Sequence, residues 1–153
     1  MNDATLTVRQ RPIVATIAVV TAGDAVLLVR RANPPDAGCW GFPGGKIEHG
    51  ETVWEAAVRE LEEETGVHAE ALNTFTAVDA IDRDAAGALR HHHVLIAVLC
   101  RYQSGTPTAR SDALEARWFT LSEFDEAAVT TSFRVAEVAR EALAEYRRRL
   151  AMT

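Results

Sequence analysis

A chain of 153 residues, 48% hydrophobic and 25% charged, has the make-up of a globular domain long enough to bury a core without staples. Its net charge of −6 argues against nucleic-acid polymers and anionic membranes as partners, so a protein of this balance that handles phosphates needs a cation to neutralise them. The two cysteines, Cys39 and Cys100, have neither disulfide-framework nor zinc spacing and read as free thiols of a reducing cytoplasm.

The amino-terminal stretch MNDATLTVRQR is polar and mixed in charge, without the layout of a signal peptide. The apolar run that follows, residues 13–22, is too short to span a bilayer and reads as a strand. Residues 13–21 and 25–30 are β-branched runs separated by Ala-Gly-Asp, a hairpin signal. Residues 33–38, Asn-Pro-Pro-Asp-Ala-Gly, form a surface loop that delivers Cys39, Trp40 and Gly41 to the turn Phe42-Pro43-Gly44-Gly45. There the backbone can approach a ligand closely.

A helix is expected from Val53 to Gly66. Thr52 and Glu55 make a capping box, and Gly66 is a left-handed stop. At about 100° per residue, Trp54, Ala57, Val58, Leu61 and Thr65 fall on one stripe and should pack, while Glu60, Glu63 and Glu64 fall on the adjacent one. Carboxylates in the last two turns oppose the helix macrodipole by about 0.3 to 1 kcal/mol each and repel one another at i, i+3 and i+4. A cation resolves that conflict. Three carboxylates there offer oxygen ligands to a hard divalent ion, Mg²⁺ or Mn²⁺, of the kind completed by substrate phosphates.

Further on, residues 69–78 read as a strand, 79–88 as a mobile loop, 91–102 as the strongest strand of the chain and 103–109 as a turn. Residues 115–120 form a short strand, and Leu121 to Phe124 start a small helix. From Thr131 the periodicity is helical, with Val135, Val138, Ala139, Ala142, Leu143, Tyr146 and Leu150 on one apolar stripe. Strands on both sides of a helix, with a terminal helix to cover the other sheet face, make a layered α/β fold.

Gly45, Glu51 and the run Arg59-Glu60-Leu61-x-Glu63-Glu64-x-Gly66-Val67 fill every defined position of the Nudix box. At roughly 5 to 7% usage per residue type, seven fixed positions match by chance on the order of once in 10⁸ windows. The chain therefore resembles the Nudix hydrolases from about residue 13 to about residue 124. The resemblance implies one Nudix domain over residues 1–153, an α/β/α sandwich with a mixed β-sheet between helices. It implies Mg²⁺, with Mn²⁺ as a substitute, held by Glu60, Glu63, Glu64 and the Gly44 carbonyl, with Glu51 as a further ligand through water or to a second ion. Arg59 is then expected to orient a box glutamate. Arg31 is expected on the substrate phosphates, because strand alternation lets only one of Arg30 and Arg31 face the site.

Metal-assisted attack of water on a diphosphate needs a general base within one hydrogen bond of that water. Glu63 is the choice within the box, and Asp112 and Glu115 are the loop candidates, either of which is alternatively a fourth metal ligand or simply exposed. Trp40 and Phe42 are candidates to stack on a base or to support the loop from beneath. Among His91, His92 and His93 only the first and last share a strand face, and they have no companion zinc ligand in sequence. Arg147 to Arg149 sit in a last helical turn, where cations suit the dipole.

The flanks LLVRR, HHHVLIAVL and EARWF, with the intervening Gly-x-Pro turn, look like short bacterial ADP-ribose pyrophosphatases. The expected substrate is a small nucleoside diphosphate derivative, foremost ADP-ribose, cleaved to AMP and ribose 5-phosphate. The chain lacks the proline that many such enzymes carry downstream of the box, since none occurs between Pro43 and Pro107. A (deoxy)nucleoside triphosphate pyrophosphohydrolase of the nucleotide-sanitising type is the alternative, and a catalytically silent nucleotide sensor the remote one. A homodimer is compatible with the sequence.

Overall fold

In the computed structural model the described residues are 10–125 and 129–153. The polar segment at residues 1–9 lies outside them. Ile13–Ala22 (β1) and Ala25–Arg31 (β2) are joined by a tight turn in which Gly23 adopts φ 60°, as the Ala-Gly-Asp punctuation requires. Two short strands follow, Trp40–Gly41 (β3) and Gly44–Lys46 (β4), then the helix Val53–Thr65 (α1). Gly66 closes it as expected, at φ 73° with its amide donating to the Glu62 carbonyl, and at the start the Thr52 hydroxyl accepts from the Glu55 amide, one half of the expected capping box.

The expected loop at 79–88 is instead the tip of a long antiparallel hairpin, His68–Arg83 (β5) with Leu89–Ser104 (β6). Asp79 and Asp82 do not break the strand, because each finds a partner across the ladder. Arg90 Nε lies 3.0 Å from Asp82 and His92 Nε2 3.1 Å from Asp79. Only residues 84–88 turn, with the Asp84 carboxylate accepting from the amides of Ala86 and Ala88. Ala113–Thr120 (β7), Leu121–Phe124 (α2) and Val135–Ala151 (α3) complete the described elements. The last helix begins at Val135 rather than Thr131, since Thr131 is held extended in a bridge beside Trp40.

The sheet runs β3-β2-β1-β6-β5, with β4 also on β1 and β7 also on β2; β1 and β6 are parallel and the other pairs antiparallel. Strand alternation sorts the core onto two faces. Ile17, Val19, Val26, Leu28, Leu99 and Phe119 meet Val135, Val138, Ala142 and Leu143 of α3. Ala18, Val20, Leu27, Val98 and Cys100 meet Ala57 and Leu61 of α1. Each fully buried Val or Leu contributes roughly 1.5 to 3 kcal/mol. The result is a mixed sheet between helices, as expected of the α/β/α sandwich. Along α1 the packed stripe is rotated from that expected: Ala56, Ala57, Leu61 and Thr65 are buried, whereas Trp54 is 44% exposed and donates its indole N–H to Thr74 Oγ1. Its polar edge and its place at the first turn keep it at the rim. Among the described residues no helix is long and apolar enough to cross a membrane.

One irregularity of this sheet positions the site. β1 pairs with β2 only near Thr21 and Val26; farther back its partner is β4, with Ile17, Thr16 and Ala15 opposite Gly44, Gly45 and Lys46. The two halves of the sheet splay apart there and leave a cleft.

Candidate active site

The cleft encloses about 710 Å³. On the α1 side it is walled by Gly44, Gly45, Glu60, Glu64, Arg31 and Asp112, and on the α3 side by Phe42, Val78, Leu95, Phe133, Val135 and Val138. The carboxylates gather at the α1 end, and the α3 end is richer in apolar side chains, with Ser132, Arg134 and His93 also in the lining.

The glycines of the turn are required by contact. A Cβ on Gly44 would sit 2.1 Å from the Thr16 carbonyl oxygen, and one on Gly45 would sit 2.5 Å from Glu60 Oε1. The bare backbone thus lets the turn lie against β1 and lets Glu60 lie against the turn. Glu60 and Glu64, one turn apart on α1, face this corner. Burial pushes the Glu64 carboxyl up to about 7; the nearby Glu60 and Asp112 add to the rise, and the Gly44 amide and Arg31 oppose it. Burial raises Glu60 as well, against the pull of Arg59.

Arg59 gathers most of the remaining acids. Its Nε and Nη2 donate to both oxygens of Glu51 at 2.6 and 2.9 Å, and its Nη1 reaches Glu60 at 3.0 Å and Glu63 at 3.2 Å. Nη2 also donates to the Lys46 carbonyl. The guanidinium pulls Glu51 below the usual carboxylate range, and Glu51 in turn raises the arginine. Arg59 thus spans four groups, three of them box glutamates, rather than a single i, i+4 contact.

No three acidic, histidine or cysteine side chains among the described residues already converge as a metal cage. The corner nevertheless fits a hard divalent cation. It offers oxygen donors, two of them carboxylates crowded by burial with less positive charge beside them than they need, and the backbone approaches closely at Gly44 and Gly45.

Of the side chains singled out from sequence, Arg31, Phe42, Glu60, Glu64 and Asp112 line the cleft together with Gly44. Asp112 is brought there by the loop after β6, whose amides at Thr108 and Arg110 cap the carbonyls of Thr65 and Glu64 at the end of α1. Glu51, Arg59 and Glu63 stand outside the lining, with the Glu63 side chain 55% exposed. Glu115 also stands outside, paired with Arg30 at 2.9 Å on the opposite strand. Trp40 is not at the cleft either: its ring packs edge-on against Phe119 at 4.8 Å, beneath Arg117. On β3 its side chain points to the α3 core, which corrects the expectation of a substrate contact.

The expectation that only one of Arg30 and Arg31 could face the site also fails. A bulge between them breaks the alternation, and both line the cleft, with Arg31 Nε donating to the Pro35 carbonyl at 2.9 Å. Among the lining residues without a sequence signal are Lys46, an ordinary cation after the glycine turn, and Phe133, which the sequence places inside the helical run from Thr131. His93, one of the three histidines, also reaches the cleft, and burial lowers its pKa, with His91 adding to the effect.

A family model described as the NUDIX domain matches residues 10–144. An ADP-ribose pyrophosphatase of Methanocaldococcus jannaschii is 36% identical over 117 residues, 76% of this chain and 67% of that protein. An oxidized purine nucleoside triphosphate hydrolase of Mus musculus is 33% identical over 110 residues, 71% of this chain and 66% of that protein. The chain thus spans about two thirds of the length of these relatives. The crystal structure of a MutT NUDIX hydrolase from Burkholderia pseudomallei superposes with a TM-score of 0.71 at 33% identity, over 88% of this chain and 98% of the other. The box on α1, the glycine turn against β1 and these likenesses agree, and the chain belongs to the Nudix hydrolase family, which acts on phosphate anhydrides.

Proposed function

We propose that this Nudix pyrophosphohydrolase uses Mg²⁺, or Mn²⁺ in its place, to cleave a nucleoside diphosphate linked to another moiety, foremost ADP-ribose to AMP and ribose 5-phosphate. The observation that carries this reading is the two-ended cleft, in which the Glu60 and Glu64 corner continues into a largely apolar recess with room for more than a phosphate. The 36% identity to an archaeal ADP-ribose pyrophosphatase favours that substrate.

Glu60, Glu64 and the Gly44 carbonyl are the proposed ligands at the corner, with Glu63 and Glu51 as further ligands drawn from the Arg59 cluster. A bound divalent ion there supplies charge neutralisation of the diphosphate and a more acidic water. Arg31 and Arg30 bind phosphate oxygens from the β2 side. Arg59 positions Glu51 and Glu60 and touches no substrate. For the general base, Glu63 remains the candidate in the box. Of the two loop acids Asp112 is favoured over Glu115, because it lies in the cleft beside Glu64 while Glu115 is engaged by Arg30.

The second reading is a nucleoside triphosphate pyrophosphohydrolase releasing NMP and pyrophosphate, which the 33% identity to the mouse enzyme favours. Both use the same corner. We place the enzyme in the cytoplasm as a monomer or homodimer acting on small molecules. A panel of ADP-ribose, nucleoside triphosphates, oxidised dGTP and nucleotide sugars, scored for AMP or NMP release with Mg²⁺ and Mn²⁺, tests the choice. The expected ranking puts ADP-ribose first, and faster turnover of a triphosphate would transfer the assignment to the second reading.

A further inference from the structure

We propose that Phe133 is a stacking platform for the aromatic base of the substrate, so that the α3 half of the cleft selects base-bearing diphosphates over base-free ones. The inference rests on the reading above that the substrate is a nucleotide. Phe133 directly precedes Arg134, the N-cap of α3, and Val138 is the fourth residue of the helix. Those are the two positions of a hydrophobic staple, in which the side chains ordinarily bury one another. Val138 is indeed only 2% exposed, yet Phe133 is 77% exposed, and both line the cleft. A phenylalanine left in water forgoes one of the larger burial gains a side chain can make. Here it does so at the mouth of a cavity.

The exposure is set by the backbone. The Trp40 amide donates to the Thr130 carbonyl and the Ser132 amide to the Trp40 carbonyl, each at 2.9 Å, so residues 130–132 are pinned beside β3. Arg134 then turns the chain at φ 64°, a conformation that non-glycine residues seldom adopt, and this directs the preceding ring away from the staple position. Phe42, Val78, Leu95 and Val135 supply apolar walls beside it. Ser132, which lines the cleft beside Phe133, has its Oγ enclosed without a hydrogen-bond partner among the described residues. A flat π-faced group on the α3 side, with its phosphates toward Glu60 and Glu64, suits both ends of the cleft.

Calorimetric titration of the full chain with AMP and, separately, with ribose 5-phosphate, both in Mg²⁺, divides base binding from phosphate binding. The wild type should hold AMP the more tightly. F133A should weaken AMP by about 5- to 150-fold, the range for loss of one base–aromatic stack, leave ribose 5-phosphate within about twofold, and F133W should restore AMP. Because the ring is exposed, the variant keeps its core. Equal wild-type affinity for the two ligands, no detectable AMP binding, AMP binding unmoved by F133A, or equal weakening of both ligands would each overturn the platform. A preference for AMP that F133A abolishes, in a protein that fails to turn over ADP-ribose, would uphold the platform and remove only the substrate assignment.

Discussion

Arg59 grips Glu51 through two parallel hydrogen bonds, Nε to Oε2 at 2.6 Å and Nη2 to Oε1 at 2.9 Å, while its third nitrogen holds Glu60 and Glu63. A planar fork is needed for this, because one point charge cannot satisfy two oxygens of one carboxylate and still reach two others. R59K should therefore not be conservative. Its apparent Mg²⁺ affinity or its turnover is expected to fall by about 10- to 100-fold, as when partners of metal ligands are removed. A Mg²⁺ titration of the variant that overlays the wild type would sink the positioning role.

Glu64 should make the metal-free protein less stable as pH rises. Its carboxyl goes from an ordinary 4.5 to about 7 on folding, chiefly through burial, so the folded state holds the proton more tightly than the unfolded one. That stability is present in full below pH 4.5 and is lost as pH climbs through about 7. The shift corresponds to at most about 3 kcal/mol. Urea unfolding in EDTA at pH 5 and pH 7.5 should show E64Q losing less stability than the wild type over this interval, and Mg²⁺ should stabilise the wild type at pH 7.5 more than E64Q. Identical pH slopes for the two proteins would contradict the buried, crowded carboxyl.

The two glycines of the turn should fail differently. In G44A the new methyl meets the Thr16 carbonyl, which is strand backbone and cannot move without breaking the β1–β4 pairing. A loss of about 1 to 3 kcal/mol or more of stability is expected. In G45A the methyl meets the end of the Glu60 side chain, which can swing. The fold should survive while turnover drops by at least about tenfold, since a 1.4 kcal/mol misplacement of the carboxylate suffices. Melting temperature and kcat measured on both variants decide the matter; equal behaviour of the two would refute the distinction.

Burial pushes the Cys100 thiol up to about 12, and the side chain is fully enclosed against α1, whereas Cys39 is half-buried beside the loop before β3. A thiol reagent at pH 8 should modify Cys39 in the native protein and reach Cys100 only on unfolding. C39S should then be silent. Rapid native labelling of C39S would show that the sheet opens over α1.

The box helix is legible because it is written locally. Thr52, Glu55, Gly66 and the spacing of Glu60, Glu63 and Glu64 act within one helix, and the structure reproduces that helix end to end. Misreadings arose where distant strands decide. Residues 79–83 look like a loop until Arg90 and His92 stand opposite their acids, and Trp54 looks like core until the α1 face proves to be rotated by its contacts with the sheet. Arg30 looked excluded from the site because alternation assumes a regular ladder, and a bulge is set by the pairing with β7, which sequence spacing does not show.

From the sequence alone came the family, the layered α/β class and the helix that carries the box acids, since each depends on residues within a few turns of one another. Tertiary structure decided which of those residues share a cavity. The splaying of β1 from β2 opens the cleft, the loop capping α1 carries Asp112 into it, and the strap beside Trp40 brings Phe133 to its far wall. Those placements follow from long-range hydrogen bonds between segments far apart in the chain, and no local periodicity encodes them.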